Sequence, residues 1–142
     1  MLNIKVKKLS KNVELPKQST QGAAGIDFYL PQPVIFEPNR SKKVPLGVAV
    51  EIPEGYVMLL IPRSSTWTTP LRMPNSVGVI DSDYRGEVCA LLQNTSIFAT
   101  KADIGERLVQ GVIVPVPSVQ IQEVEELSET NRGVGGFGST GK

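Results

Sequence analysis

The chain is predicted to fold as an all-β protein, a sandwich, barrel or jelly roll with at most one short helix. Three observations carry this. Eleven prolines and thirteen glycines are spread through 142 residues, so few windows can hold a long uninterrupted helix. Apolar runs recur as short segments instead. Turn signals separate them at roughly ten-residue spacing, the pattern of sandwiches and barrels.

The expected elements follow in order. Ile4 and Val6 alternate with Lys5 and Lys7, the period of a half-buried strand. Val44 to Ile52 is apolar-rich and ends at Pro53-Glu54-Gly55, a turn sequence. Tyr56 to Ile61 is a continuous apolar run stopped by Pro62. Ser64–Leu71 is the one stretch read as a short helix, with Pro70 near its end. Val77–Ile80, Glu87–Leu92, Leu108–Val114 and Val119–Val124 complete the expected strands. Glycine dominates from Gly133 onward. Such a stretch cannot pack a core of its own and is expected to be mobile by itself. The chain therefore divides into a folded domain over residues 1–130 and a glycine-rich arm over 131–142.

Composition excludes several classes of function. The net charge of +1 is too small to mark a nucleic-acid binder, so any anion site must be local. There is no histidine. That removes Ser-His-Asp and Cys-His catalysis and the HExxH zinc proteases, and leaves general-base work to a carboxylate, a lysine or a tyrosine. The single cysteine, Cys89, permits no intrachain disulfide and fits a reducing compartment. Within Val88-Cys89-Ala90-Leu91-Leu92 it reads as a small buried residue and not as a nucleophile. No apolar run approaches the roughly 18 residues of a membrane span, and the N-terminus lacks a signal-peptide core. A soluble cytoplasmic protein is expected, with no membrane or nucleic-acid partner.

The arm, RGVGGFGSTGK, imitates two nucleotide motifs. Gly133-x-Gly135-x-x-Gly138 matches a dinucleotide fingerprint, but that needs a helix to follow it. Gly136-x-x-x-x-Gly141-Lys142 matches most of a phosphate loop, but the following hydroxyl residue and helix are missing. The chemistry survives both rejections. Glycines expose backbone N–H groups that wrap phosphate oxygens. Arg132 adds a forked cationic donor. Ser139 and Thr140 add hydroxyls, and Phe137 offers a face on which a base can stack.

Four other segments carry chemistry. Gly22-Ala23-Ala24-Gly25-Ile26-Asp27 reads either as a surface turn or as close backbone approach to a ligand with Asp27 near a metal. Pro62-Arg63-Ser64-Ser65 places an arginine and two hydroxyls at a strand end, a combination suited to phosphate. Gly78 to Glu87 brings charges and Tyr84 together at a turn. There Asp81 is a candidate general base, set against an ordinary hairpin turn. Gly105-Glu106-Arg107-Leu108-Val109-Gln110 opens a strand. Gln110 is either an amide in need of partners or a polar residue on the outer face of an edge strand.

These five segments, GAAGIDFY, PRSS, NSVGVIDSDYRGE, GERLVQ and RGVGGFGSTG, resemble in order and spacing the five motifs of the trimeric dUTPase family. The resemblance runs the length of the chain. It implies a distorted jelly-roll subunit in a homotrimer, with active sites at subunit interfaces and the glycine-rich arm closing over a site built by other subunits. It implies conversion of dUTP and water to dUMP and pyrophosphate, with Mg²⁺ on the triphosphate. By motif, Asp81 resembles the base for the attacking water, and Asp27 the residue that reaches the metal through a water. Ser64, Ser65, Gln110 and Arg132 resemble triphosphate-binding residues. Arg63 resembles an arginine that supports the site, by pairing with a carboxylate or by touching phosphate. Tyr84 is expected against the deoxyribose, where it excludes a 2′-hydroxyl. Asn75, Gly78 and the backbone at Val88 are expected around uracil. Phe137 resembles a lid over the uracil ring, with Gly138, Ser139 and Thr140 beside it.

Two departures stand out. Ser65 occupies a position where many members of the family have glycine. The stretch Thr66–Met73 (TWTTPLRM) follows no common pattern, and Trp67 reads as a subunit-contact residue or a partly exposed core aromatic. Two other functions are weighed against dUTPase. One is a dCTP deaminase, which resembles this family in fold. The other is a nucleotide-gated regulatory protein with Trp67 and its neighbours as the partner surface.

Overall fold

The computed structural model describes residues 2–139. Ten strands and one 3-10 helix follow in the order β1 (Lys5–Lys8), β2 (Ile26–Asp27), β3 (Val34–Phe36), β4 (Ser41–Glu51), β5 (Tyr56–Pro62), the helix (Ser64–Thr68), β6 (Leu71–Arg72), β7 (Gly78–Ile80), β8 (Glu87–Asn94), β9 (Thr100–Ala102) and β10 (Val109–Pro115). One four-stranded sheet has the order β1-β4-β8-β6, a second β2-β10-β5-β7, and β3 pairs with β9. All these pairings are antiparallel. The result is the jelly-roll-like sandwich that the strand pattern predicts. Among the described residues no helix is long and apolar enough to cross a membrane.

Strand β8 shows why the sheets close on each other. Val88, Ala90, Leu92 and Asn94 point inward while Glu87, Cys89, Leu91 and Gln93 point outward, the two-residue period of a strand with one buried face. Strand β4 breaks that period. Its register slips between Pro45 and Ala49, where Gly47 takes a positive φ of 72°. The bulge absorbs the proline and turns Leu46, Val48, Ala49 and Val50 all out of solvent. Both sheets then meet in one core, with Phe28, Phe36, Leu46, Met58, Leu60 and Leu92 among its fully buried side chains.

Three sequence expectations need correction. Val119–Val124 forms no strand. Beyond Val116, whose N–H reaches the Gly55 carbonyl at 2.8 Å, the described chain has no strand, and Val119, Ile121, Val124 and Leu127 are exposed. Alternation alone does not make a strand where no edge of the same chain receives it. Cys89 faces outward and is half-buried rather than buried. The burial it has pushes its thiol pKa up, so it is still no thiolate nucleophile. Trp67, at 77% exposure, is no core aromatic. The strands missed by sequence, β2, β3, β6 and β9, hold two or three residues each, too few to display a period.

Asn94 joins the small β3-β9 sheet to the sandwich. It is 0% exposed. Its amide donates to the carbonyls of Phe36 at 3.0 Å and Phe98 at 2.8 Å, and its oxygen accepts from Ser96 N–H at 2.9 Å. Asn94→Ala leaves these groups unpaired in the interior and is expected to cost about 2–4 kcal/mol. Urea unfolding is expected to show a lower midpoint at unchanged slope; an unchanged midpoint contradicts this role.

Candidate active site

The functional residues fall into two groups on opposite ends of one sheet. The first surrounds Asp27. Strand β10 lies between β2 and β5, and its register sets Gln110 opposite both Asp27 and Ile61. The segments around Asp27, Arg63 and Gln110 are therefore neighbours by construction. Asp27 is 3% exposed. One of its oxygens accepts from Arg63 Nε at 2.7 Å; the other accepts from Arg107 Nη1 at 3.1 Å and Ser19 Oγ at 2.7 Å. A buried carboxylate persists only when its charge is matched and each of its oxygens is hydrogen-bonded. Here both conditions hold.

Arg63 resolves in favour of the carboxylate pairing. Its Nη1 also reaches Ser65 Oγ and the Arg107 carbonyl, each at 3.4 Å. Ser64 and Ser65 are exposed just beyond it, at the start of the 3-10 helix. Gln110 is half-buried on an interior strand, which excludes the edge-strand reading, and its amide donates to the Pro62 carbonyl at 3.2 Å. Gly25 makes room for it: a Cβ there would stand 1.9 Å from Gln110 Oε1. Two guanidiniums against one carboxylate leave a local positive excess beside the serines. That is a local concentration of positive charge in a chain of near-zero net charge.

Sequence reasoning gave no role to Ser19 or Arg107. Arg107 lay in a quoted motif and could have been flagged as a second partner for a buried acid. It also sits over the Tyr29 ring, 5.8 Å from its centre, opposite Lys17 at 5.4 Å. Ser19 carries no signal of its own.

The second group is the connection from β7 to β8, which crosses from one sheet to the other. Gly78, Asp81, Tyr84 and Val88 line a cavity of about 190 Å³ with Lys43 and Glu87. Asp81 is exposed at its rim, where a larger open cleft begins. Tyr84 is held rigidly: its hydroxyl donates to the Glu87 carbonyl at 3.0 Å. Its ring covers Gly86, where a Cβ would lie 2.4 Å from the phenol oxygen. The Val88 side chain is buried in the core, so only its backbone can meet a ligand. Asn75 is exposed on the preceding turn, its amide 3.4 Å from the Val77 carbonyl.

The two groups do not meet within one protomer. Leu60 pairs with Gly78 and Met58 with Ile80. Asp81 thus lies beside the first residues of β5, while Arg63 and Ser64 follow its last. At ~3.3 Å per residue, Val57 and Arg63 are roughly 20 Å apart. Among the described residues, the arm hydrogen-bonds to neither group. Its described hydrogen bonds are local, including Arg132 Nε to the Gly135 carbonyl at 2.8 Å and Ser139 N–H to the Gly136 carbonyl at 3.0 Å. Phe137 is fully exposed beside Gly138. Thr140 lies outside the described residues.

The donor set constrains a metal. Among the described residues no group of three or more His, Cys, Asp or Glu side chains is placed to hold one, and Asp27 is occupied by arginines. Mg²⁺ favours substrate phosphates, one or two carboxylates and water. The residues present fit Mg²⁺ only as a companion of a triphosphate.

The dUTPase family model matches residues 11–141. Deoxyuridine 5'-triphosphate nucleotidohydrolase of Nautilia profundicola is 44% identical over 142 residues, covering 99% of this chain and 100% of that one. The Helicobacter pylori enzyme of the same name is 36% identical over 141 residues, covering 99% and 97%. Among solved structures, the Staphylococcus bacteriophage 80alpha dUTPase with dUPNHPP superposes with a TM-score of 0.91 at 31% identity, covering 99% of each chain. That phage protein is described as controlling transfer of virulence genes. A mutant dUTPase from phage phi11 of S. aureus, described with a structural Mg(II) ion, superposes at 0.82 with 28% identity, over 87% of this chain and 97% of that one. The deaminase alternative is not favoured. With its motifs, its sandwich and these relatives in agreement, the chain belongs to the dUTPase family and is a hydrolase of dUTP.

Proposed function

We propose that hydrolysis takes place at sites shared between copies of the chain in a homotrimer. One copy contributes the Asp27 group, a second the β7–β8 connection, and an arm closes over both. The observation that carries this is the separation within one protomer: Asp81 lies roughly 20 Å from Arg63 and Ser64 at ~3.3 Å per strand residue. A second copy brings the missing half. Residues 1–130 are then the folded domain and residues 131–142 the closing arm.

In the proposed reaction a water oxygen bonds to the α-phosphorus of dUTP. The bond from that phosphorus to the bridging oxygen breaks, pyrophosphate leaves, and Asp81 takes the water's proton. A loose phosphoryl transition state asks mainly for positioning and charge neutralisation. Ser64, Ser65, Gln110 and Arg132 supply donors to the triphosphate oxygens, with backbone N–H groups at Gly138, Ser139 and Thr140. Mg²⁺ arriving with the triphosphate supplies further charge neutralisation. Asp27 serves first as the anchor of Arg63 and Arg107. Lone pairs left on its oxygens can accept from a water that accompanies the metal.

Tyr84, fixed over Gly86, would present its ring to the deoxyribose and leave no space for a 2′-hydroxyl. Asn75, Gly78 and the Val88 backbone would read uracil, because a wrong base leaves buried backbone groups unpaired. Phe137 would cover the ring. Pyrophosphate release measured on dUTP, dTTP, dCTP and UTP tests base and sugar selectivity together, and comparable rates on UTP would refute the role given to Tyr84.

Asp81→Asn is expected to lower turnover at least about a hundredfold while a non-hydrolysable dUTP analogue still binds by calorimetry. Near wild-type turnover removes Asp81 from the role of base. Truncation after Thr130 is expected to leave a folded trimer with little activity. Co-refolding the two variants supplies the decisive result. Shared sites regain activity, because some interfaces then combine an intact Asp81 with an intact arm. Sites confined to single chains stay inactive in the mixture.

A further inference from the structure

We propose that Trp67 is a positioning residue for the closed arm, its indole face stacking on the Arg132 guanidinium of another copy and aiming it at the triphosphate. This rests on the arm-closure reading above. Trp67 is the only tryptophan in the chain and is 77% exposed. Exposing so large an aromatic forgoes burial that usually stabilises a fold.

The helix that carries it is firmly anchored. Thr66 is buried, and its hydroxyl donates to the Leu108 carbonyl at 2.6 Å. The Thr69 N–H and hydroxyl both return to the Thr66 carbonyl, at 3.0 and 2.7 Å. Trp67 is therefore held outward on a fixed element. A 3-10 helix has three residues per turn, so side chains at i and i+3 eclipse. Ser64 and Trp67 share one edge, separated by ~6 Å of rise. The indole thus stands beside the hydroxyl proposed to bind phosphate.

Arg132 fits that position. Its Nε contact is to the Gly135 carbonyl within the arm itself, which leaves the guanidinium face open. Arginine forks to phosphate through its edge and stacks through its face at the same time. Indole is the strongest aromatic partner for a cation. The cations seated over aromatic rings among the described residues, Lys17 and Arg107, both use Tyr29, and the faces of Trp67 carry none. Between Pro115 and Arg132 the chain can extend to about 55 Å at ~3.3 Å per residue, enough to reach the site of another protomer. With Phe137 at the uracil end, Arg132 is the cation among the arm's described residues for the phosphate end, where Trp67 stands.

Tryptophan emission reports on Trp67 alone. Adding Mg²⁺ and α,β-imido-dUTP to the full-length chain is expected to change it. In Arg132→Gln, with the analogue shown bound by calorimetry, the change is expected to vanish. Trp67→Ala is expected to lower kcat/KM roughly three- to thirtyfold, Trp67→Phe to restore part of it, and Trp67→Ala to add nothing once Arg132 is Gln. An emission change that persists in Arg132→Gln overturns the proposal, as does a Trp67→Ala loss that adds in full. A response to subunit dilution instead of nucleotide assigns Trp67 to a subunit contact and overturns it too. If truncation after Thr130 abolishes activity while emission ignores the nucleotide, the arm closes elsewhere and this inference alone fails. Full activity in that truncation sinks the arm-closure reading itself.

Discussion

A carboxylate at 3% exposure must be fully matched or it destabilises the fold that contains it. Asp27 meets this demand with two arginines and a hydroxyl drawn from three separate parts of the chain. The consequence is geometric. Arg63 closes β5, Arg107 leads into β10, and Asp27 ends β2, so one neutralised charge locks the ends of three adjacent strands. Ser64, Ser65 and Gln110 take their places from that lock. Removing one partner leaves uncompensated charge behind, which is why these residues read as a unit and not as separate ligands.

The same sheet that brings these segments together keeps Asp81 away from them. Strand β5 acts as a ruler, with Arg63 beyond its last residue and the end of β7 beside its first residues. Chemistry at one phosphorus cannot use groups some 20 Å apart, as ~3.3 Å per residue requires here. The proposed sharing of sites between copies answers that separation. The exposed apolar side chains of Val119, Ile121, Val124 and Leu127 are likewise left without packing inside the protomer.

Much of the fold was legible because its long strands obey simple periods. In β8 alternate residues are buried, and β5 is apolar because it lies inside its sheet. What escaped was set by tertiary context. The two-residue strands β2 and β6 exist only because longer neighbours pair with them, and the three-residue β3 and β9 only because they pair with each other. Cys89 faces outward because it falls on the wrong parity, which its apolar neighbours concealed. The site was legible as five motifs, and Gly25 shows why the spacing holds: Gln110 fills the space a side chain there would need. The Asp27 anchor was only half visible. The PRSS motif marks Arg63 as a partner for an acid, but nothing local links Ser19 or Arg107 to Asp27 across 8 and 80 positions.

The arm follows a different logic from the sandwich. Its glycines lose more backbone entropy on ordering than any other residues would, so a closed arm is stable only when ligand contacts offset that loss. The proposed closure would then depend on the triphosphate, and Arg132 would be withheld until substrate is present. It also leaves the closed arm loosely defined unless something rigid receives it. A glycine-rich segment cannot supply that rigidity, but a short helix pinned by a buried threonine can. Trp67 on its fixed edge next to Ser64 would turn a floppy cation into a directed one. The entropy of the arm and the exposure of a single indole are then two sides of one arrangement.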